Sequence, residues 1–367
     1  MYIYFVLIAY QLLLTALLKR QGLKSDFLTA VVPFIGMFIL AAFRSTSVGN
    51  DSKNYLDLFN LIRNGADLEV WSERYEWGYL LFNKILGLFF SNQYAIFFVS
   101  ALFIYFISWR VIKKLSYKHW LSVFLFLTLG LYSNSVNVIR LTMAYVVCLV
   151  AYNELEKKKY LKVIILVIFA TLFHTSAIVF IVVLLCNKLH MKKRLLFLWG
   201  GATVILFLLF NNILASVLNY RETYNTYVTN DIYFNSGYLA TGLNIVFWVL
   251  ILLVIYILYR NGNFRSEADI CIEETTYWEK ICIYGLIMIS LYIFGFKMNL
   301  MDRVAGYFRC LMIIFIPNAM TEIENKRTRG IVEGSLVLLM VMFFVIPLIF
   351  RPEWTGIYPY SFWFDVN

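Results

Sequence analysis

Apolar runs long enough to cross a lipid bilayer recur along this chain of 367 residues. Residues 94–109, 195–210 and 331–350 are close to the roughly 20 residues that an α-helix needs to span the hydrocarbon. Only 15% of the residues are charged, against about 25% in a soluble domain. The sequence therefore predicts an all-α polytopic membrane protein.

Most of the basic residues lie in six short blocks, which decide how such a protein is oriented. Basic residues in short loops stay on the cytoplasmic side, so all six blocks are predicted inside and both termini outside. The net charge of +10 is explained mostly by these loops, and nucleic acid is not an expected partner. The blocks are residues 19–24, 110–118, 157–162, 188–194, 260–280 and 326–329.

This arrangement predicts about twelve transmembrane helices. They lie at about 2–18, 27–43, 94–112, 119–135, 138–153, 160–173, 175–187, 195–213, 239–259, 280–296, 304–320 and 331–350. Residues 1–18 lack a basic n-region and precede Lys19 and Arg20, which favours a first span over a cleaved signal peptide.

Two stretches allow a second interpretation. Residues 160–187 fit either one long helix or two short crossings, and only two crossings keep the basic blocks on both sides of this stretch inside. The turn would then lie at Phe173–Ser176, and short broken helices at membrane depth usually line a cavity. Residues 76–92 fit either a span or an amphipathic helix in the outer interface. The interfacial helix is favoured, because a span would move Lys113, Lys114 and Lys118 outside.

We expect a single integral-membrane domain over residues 1–367 with two large outer loops. The first loop, residues 44–93, would contain the interfacial helix and a second helix near 52–63. The second loop, residues 214–238, is rich in Tyr and Asn, which suits either an interfacial aromatic belt or contact with sugars.

Charged groups that could bind an anion collect at the predicted outer face. Arg44 begins the first outer loop, where Gly49 permits a tight turn that would let Asp51 face the site. Arg140 follows Asn137 by three residues on one helix face, which suits an oxyanion or a phosphate. Either arginine could instead extend to the lipid headgroups.

Residues 297–308 contribute a further polar group to this face. Lys297, Asp302, Arg303 and Tyr307 lie here, and Asp302 and Arg303 point about 100° apart on a helix, so they need not pair. Arg309 lies deeper, and a structural partner in the bundle is one option for it. The three guanidiniums of Arg44, Arg140 and Arg303 fit a diphosphate, because guanidinium is planar, always charged and bidentate toward phosphate oxygens.

The candidate bases on the outer face are His174, Asp51 and Glu76, ranked in that order. His174 lies between two apolar helices, where it could be a hydrogen-bonded structural residue, yet ionisable residues at membrane depth are functional candidates by default. Its reference pKa of about 6.5 suits proton transfer near neutrality. No carboxylate pair and no His or Cys cluster has metal-ligand spacing, so neither a metal nor another cofactor is expected.

Five short motifs occur in order between residues 43 and 308. They are R-x3-VG-x-D-x3-Y from Arg44, E-x-GY from Glu76, N-x-IR-x3-A from Asn137, FH-x-SA from Phe173 and DR-x3-YF from Asp302. In this order they resemble the EpsG/Wzy-like family of bacterial polysaccharide polymerases. Asn50 departs from the Thr that many relatives have.

The resemblance implies a multi-spanning glycosyltransferase of the GT-C type in the bacterial cytoplasmic membrane, which makes O-antigen, capsule or exopolysaccharide. Such polymerases transfer the growing glycan from undecaprenyl diphosphate to a sugar hydroxyl of the next lipid-linked repeat unit, on the periplasmic or extracellular face. The implied partners are that lipid-linked oligosaccharide and membrane lipid, with a flippase and chain-length regulator proteins. Asn137, Lys297, Asp302 and Tyr307 are predicted to bind the substrate. Diphosphate is a good leaving group, so the reaction needs a base but no general acid.

Two other functions fit parts of this pattern. A flippase or exporter of the same lipid-linked sugars could bind diphosphate with arginines and do no chemistry. A transporter should also have paired halves and a cavity with basic residues reachable from both sides, whereas the candidates here crowd the outer face. A membrane acyltransferase using His174 is a third interpretation, and it gives no reason for three outer arginines.

Overall fold

The computed structural model describes residues 2–218, 238–264 and 275–365, and the regular elements in these ranges are helices. The extended pairing within them is limited to two isolated β-bridges, Arg44 with Phe362 and Phe264 with Ile323. The second predicted outer loop, residues 214–238, falls almost entirely outside the residues whose side chains are described. The chain divides into two compact units, Met1–Ile178 with Gly330–Asn367 and Val179–Arg329.

The first unit contains most of the helices. In chain order they are α1 Tyr2–Arg20, a π-helical turn Phe27–Val31 that continues into α2 Val32–Ala42, α3 Ser52–Arg63, α4 Leu68–Trp71, α5 Trp77–Phe89, α6 Ala95–Leu115, α7 His119–Thr128, α8 Leu131–Asn137, α9 Ile139–Leu155 and α10 Tyr160–Thr171. A 3-10 helix, Thr175–Val182, crosses the boundary between the two units.

The second unit contains six helices in its described residues. They are α11 Val183–Cys186, α12 Lys193–Leu218, α13 Tyr238–Arg260, α14 Tyr277–Gly295, α15 Met301–Arg309 and α16 Met312–Glu322. The chain then returns to the first unit through α17 Lys326–Phe350 and α18 Pro352–Thr355.

Among the residues that the structure describes, six helices are long and apolar enough to cross a membrane, namely α1, α6, α12, α13, α14 and α17. α15 and α16 pass the same test as a pair bent by 43°, so the helix predicted at 304–320 is interrupted. Shorter apolar helices occupy Phe27–Ala42, His119–Thr128, Tyr160–Thr171 and Thr175–Cys186. The predicted all-helical, multi-pass fold is confirmed with six or seven candidate spans, and the count of twelve stays a prediction.

The helix break predicted at Phe173–Ser176 is present. α10 ends at Thr171 and the 3-10 helix begins at Thr175, so three residues, including His174, join the two helical pieces. The 12 residues of α10 extend for about 18 Å, short of a bilayer core of about 30 Å. Whether the two pieces are two separate crossings stays a prediction.

Helix α5 occupies the stretch for which an interfacial helix was predicted. Trp77, Leu81 and Leu88 are exposed on one side, whereas Tyr79 and Leu80 on the other are fully buried. An exposed apolar face is typical of a helix that meets lipid. The interfacial location of α5, the single-domain organisation and both outer loops stay predictions.

The basic loops of the first unit gather at one of its ends. Lys19 and Lys118 both pair with Glu333 at the start of α17, and Lys114 lies beside Lys157. The opposite ends of the same helices carry Arg140 on α9 and the loop that follows α2. The 17 residues of α9 separate these ends by about 25 Å.

The basic blocks within the second unit also lie together. Glu279 accepts a hydrogen bond from the backbone N–H of Met191, and the N–H of Glu324 donates to the carbonyl of Asn263. The three basic blocks at residues 188–194, 260–280 and 326–329 therefore lie near one another. Lys297 and Asp302 follow the opposite end of α14. Which side of the membrane either end faces stays a prediction.

Candidate functional site

An ion pair between Arg140 and Glu76 forms the centre of the candidate site in the first unit. Arg140 lies in the first turn of α9, and Glu76 immediately precedes α5. The Arg140 Nη1 group donates to Glu76 Oε2, and both side chains are about one-fifth exposed, at 19% and 18%. Residues 64 positions apart therefore place a guanidinium and a carboxylate together at the end of the unit away from its basic loops.

The second carboxylate oxygen of Glu76 ties this pair to the helix break. Glu76 Oε1 accepts hydrogen bonds from the backbone N–H of Thr175 at 3.1 Å and from its hydroxyl at 3.4 Å. These donors lie at the start of the 3-10 helix, where N–H groups have no partner within the helix. His174 precedes them, and its Nδ1 lies 2.7 Å from the hydroxyl oxygen of Ser176. Arg140 and the start of the 3-10 helix after His174 are thus both bound by Glu76, and the roles predicted for these residues stay predictions.

Gly78 explains how α5 approaches the helix break so closely. A Cβ at Gly78 would lie 2.6 Å from the carbonyl oxygen of Leu172, so no larger residue fits without a shift. The next N–H, that of Tyr79, donates to the same carbonyl at 3.2 Å. The E-x-GY motif therefore docks directly on the F-H-x-S-A motif, and Gly78 is a residue whose role the sequence did not indicate.

Aromatic rings enclose the Arg140 side chain. Its guanidinium carbon lies 4.7 Å from the ring centre of Tyr75 and 5.9 Å from that of Tyr79. A cation over an aromatic face is stabilised by about 0.5–2 kcal/mol, depending on burial. The buried Nε of Arg140 meets no acceptor in the described ranges. The guanidinium is therefore held in place, with its exposed part directed at Glu76.

Arg44 is placed differently from the prediction. It is 1% exposed, and its guanidinium donates to the hydroxyl of Ser52, to the carbonyl of Ala41 and to the carbonyl of Val136. The ring of Phe97 covers it at 4.1 Å. Burial lowers the pKa of Arg44 to about 10, so it stays charged at neutral pH.

This environment leaves Arg44 no open side for a diphosphate. Its role in the structure is to clamp the first outer loop onto the end of α8, and the predicted contact with diphosphate does not fit this burial.

The turn predicted at Gly49 is present and is built on close packing. Gly49 has a φ of +94°, and a Cβ there would lie 2.8 Å from the carbonyl oxygen of Val136. Asp51 follows at the start of α3, and within the described ranges no group hydrogen-bonds its half-buried carboxylate. Asp51 therefore remains a candidate base, whereas Gly49 has a structural role.

Asn137 is occupied by protein contacts instead of facing a vacant surface. Its Oδ1 accepts from the N–H of Asn50 at 2.8 Å, and its Nδ2 donates to the carbonyls of Ser133 and Thr355. The amide thus joins the first outer loop, α8 and the C-terminal tail. The predicted role of Asn137 in substrate binding has no support in these contacts.

The predicted residues of the second unit form a group of their own. Asp302 Oδ2 accepts from the Thr241 hydroxyl at 3.0 Å, and a Cβ at Gly295 would lie 2.5 Å from Asp302 Oδ1. Arg303, the next residue, is exposed. Adjacent residues of α15 thus point to different surroundings, as predicted. That Arg303 joins Arg140 on one diphosphate stays a prediction.

The remaining residues of this group have mainly structural surroundings. Lys297 donates to the carbonyl of Phe207 at 2.7 Å and covers its ring at 4.5 Å. Tyr307 is fully buried. Arg309 interacts with Tyr292 and with Asp302, which supports the option of a structural partner within the bundle. The predicted contacts of Lys297, Asp302 and Tyr307 with substrate stay untested.

Metal ligands were not expected, and the described ranges contain no group of three or more His, Cys, Asp or Glu side chains that could hold a metal ion. Four of the five cysteines are described, and each is buried and outside any disulfide. Metal independence itself stays a prediction.

These observations describe a multi-pass helical membrane protein with a charged site at one end of its first unit. The chain belongs to the EpsG family, whose model matches residues 27–362. This is a family of Wzy-like polysaccharide polymerases, so the resemblance predicted from the five motifs is confirmed and the role is of the polysaccharide polymerase type. Searches of curated proteins and of solved structures gave no match.

Proposed function

We propose that this protein is a GT-C-like glycosyltransferase that transfers a growing glycan from undecaprenyl diphosphate to a sugar hydroxyl of the next lipid-linked repeat unit. The reaction takes place on the outer face of the bacterial cytoplasmic membrane. The bond between the anomeric carbon and the phosphate oxygen breaks, a bond to the acceptor oxygen forms, and the acceptor proton passes to a base. The observation that supports this most is the pairing of Arg140 with Glu76 beside His174.

Arg140 binds the departing diphosphate in this proposal. A phosphate oxygen can replace the Glu76 carboxylate on Nη1, because both are anions that accept the same hydrogen bond. Charge that develops on the leaving group is then met by a fixed guanidinium, an effect of about 3 kcal/mol or roughly a hundredfold in rate. Arg303 is the second cation of this proposal.

His174 is the proposed base. When its Nδ1 donates to Ser176, the lone pair of Nε2 accepts the proton from the acceptor hydroxyl. Glu76 is a less suitable base, because its two carboxylate oxygens already accept hydrogen bonds from Arg140 and Thr175. Its role is to hold both Arg140 and the chain at Thr175 in position. Asp51 is the alternative base.

The test is polymerisation by the purified protein in lipid vesicles, supplied with one lipid-linked repeat unit. Wild type should give a ladder of products on a gel, whereas Arg140→Ala and His174→Gln should leave the unit unextended. Glu76→Gln removes the ion pair and keeps an oxygen for Thr175, so a loss of about tenfold, the worth of one charged hydrogen bond, is expected. A wild type that moves the unit across the membrane without extending it would be a flippase, and the proposal would fail.

A further inference from the structure

The C-terminal tail lies across the end of the first unit that carries the candidate site. One of its two contact regions is centred on Gly356, whose carbonyl accepts a hydrogen bond of 2.7 Å from the N–H of Gly49. The preceding residue, Thr355, accepts from the Asn137 amide, and the following one, Ile357, accepts from the hydroxyl of Tyr4 at 3.0 Å. The tail is thus joined to the first outer loop, to α8 and to α1 within three residues.

A second contact lies a few residues further along. The N–H of Ser45 donates to the carbonyl of Ser361 at 2.9 Å, and the two hydroxyl oxygens are 2.6 Å apart. The N–H of Trp363 donates to the carbonyl of Phe43, and its ring stacks on Tyr94 with centres 4.9 Å apart. Both ends of the segment from Phe43 to Gly49 are therefore paired with the tail.

The first contact leaves no room for another residue type. Gly356 has a φ of +60°, and a Cβ there would lie 2.9 Å from Asn137 Cγ and closer still to Oδ1. Asn137 also accepts from the N–H of Asn50, next to Asp51. Asn137 and Arg140 are three positions apart, with a non-helical residue, Val138, between α8 and α9. The family model includes this tail, because its match extends to residue 362.

We propose that the tail segment 352–363 is a positioning element of the transfer site. It holds the loop that carries Asp51, and through Asn137 it fixes the joint from which α9 presents Arg140. Gly356 and Asn137 are its positioning residues. This inference rests on the proposed function, since the rate that it controls is that of glycan transfer.

The main test is Gly356→Ala, with Gly22→Ala as the matched control. Gly22 has a similar φ of +69° with nothing within 4 Å of an added Cβ, so it reproduces the backbone strain without the collision. Displacement of reacting groups by 1 Å can cost about a hundredfold in rate. Gly356→Ala should lower kcat by at least about tenfold with KM for the repeat unit unchanged, and Gly22→Ala should match wild type. Equal kcat values in the two variants would overturn the proposal.

A double variant separates positioning from a general loss of folding. Asn137→Ala removes the atoms with which the new Cβ collides. The kcat of the double variant Asn137→Ala/Gly356→Ala should therefore be less than about threefold below that of Asn137→Ala alone, because only the strained φ remains. If the two effects multiply as independent changes do, the contact does not transmit position and the inference is wrong.

Two measurements remain informative whatever the polymerisation result. Hydrogen exchange of the Ser45 and Gly49 amides should accelerate in Gly356→Ala and not in Gly22→Ala, and equal exchange would contradict the proposal. A Ser45→Cys/Ser361→Cys disulfide should leave the wild-type rate within twofold, whereas a loss of rate on oxidation would mean that the tail must move. Failure of wild type to polymerise would reject the proposed function, while the exchange data would still decide whether the tail holds the loop.

Discussion

Arg44 and Arg140 should differ in what their loss does to the protein, although both belong to motifs of the same family. Arg44→Ala removes a buried guanidinium that makes three hydrogen bonds and a cation–π contact. Arg140→Ala removes a partly exposed side chain with one ion pair and cation–π contacts to Tyr75 and Tyr79. We therefore expect a folding defect from the first substitution and a catalytic defect from the second.

The size of the difference follows from these contacts. Hydrogen bonds from a charged group contribute about 1.5 kcal/mol or more each, and a desolvated cation–π contact about 2 kcal/mol. Removal of Arg44 should thus cost up to about 6 kcal/mol, an upper limit because contacts that share one side chain are not additive. A partly exposed ion pair such as that of Arg140 contributes about 1 kcal/mol or less, and a cation–π contact at a partly exposed site about 0.5–1 kcal/mol. Total stabilities of about 5–15 kcal/mol make the first loss severe and the second mild.

Thermal unfolding in detergent, followed by size-exclusion fluorescence, would measure this. About 1 kcal/mol shifts the Tm of a domain of 150–250 residues by about 2–4 °C, so a difference of about 3 kcal/mol should make Arg44→Ala unfold roughly 6–12 °C below Arg140→Ala. Arg44→Lys should also be destabilised, because an ammonium lacks the fork that reaches three acceptors. A stable but inactive Arg44→Ala protein would refute the structural assignment and return Arg44 to the substrate.

Three further outcomes are expected. Gly78→Ala should destabilise the protein by about 1–3 kcal/mol in thermal unfolding, because its Cβ would meet Leu172. The control, Gly334→Ala, lies on a helix with open space around it and should be neutral or stabilising. Equal Tm values for the two variants would mean that the close approach at Gly78 is not required. Polymerisation should continue in excess chelator, and a loss of activity that one divalent ion restores would show that the site uses a metal. Single-cysteine labelling in intact cells should reach the exposed Ser91→Cys site but not Gln21→Cys, and the reverse pattern would place the candidate site on the cytoplasmic face.

Much of the architecture could be predicted from the sequence, because hydropathy and charge act along short stretches of chain. A run of about 20 apolar residues needs no distant partner to become a membrane helix, and α1, α6 and α17 lie where such runs predicted them. The break before His174 followed from a similar argument, since one uninterrupted crossing would separate two basic blocks. The bend between α15 and α16 could not be predicted from local composition.

Partners of individual polar groups depended on contacts far apart in the chain. Arg44 reaches the carbonyl of Val136, 92 positions away, and Ser45 reaches Ser361, 316 positions away. A sequence marks Arg44 as an arginine near a membrane edge, where a lipid phosphate and a buried carbonyl are equally suitable acceptors. Burial decides between them, and burial is created by Phe97 and by the loop folding over the side chain.

The same reason separates Glu76 and Asp51, which the sequence presents as similar carboxylates at helix starts. Packing of Gly78 against Leu172 brings Glu76 to Thr175 and Arg140, whereas Asp51 makes no side-chain hydrogen bond in the described ranges. Composition and the positions of the basic blocks along the sequence determined which residues could share one end of the membrane helices. Which of them pair, and which remain for a substrate, was decided by close packing at glycines, because a distance of a few ångströms depends on both surfaces that meet there.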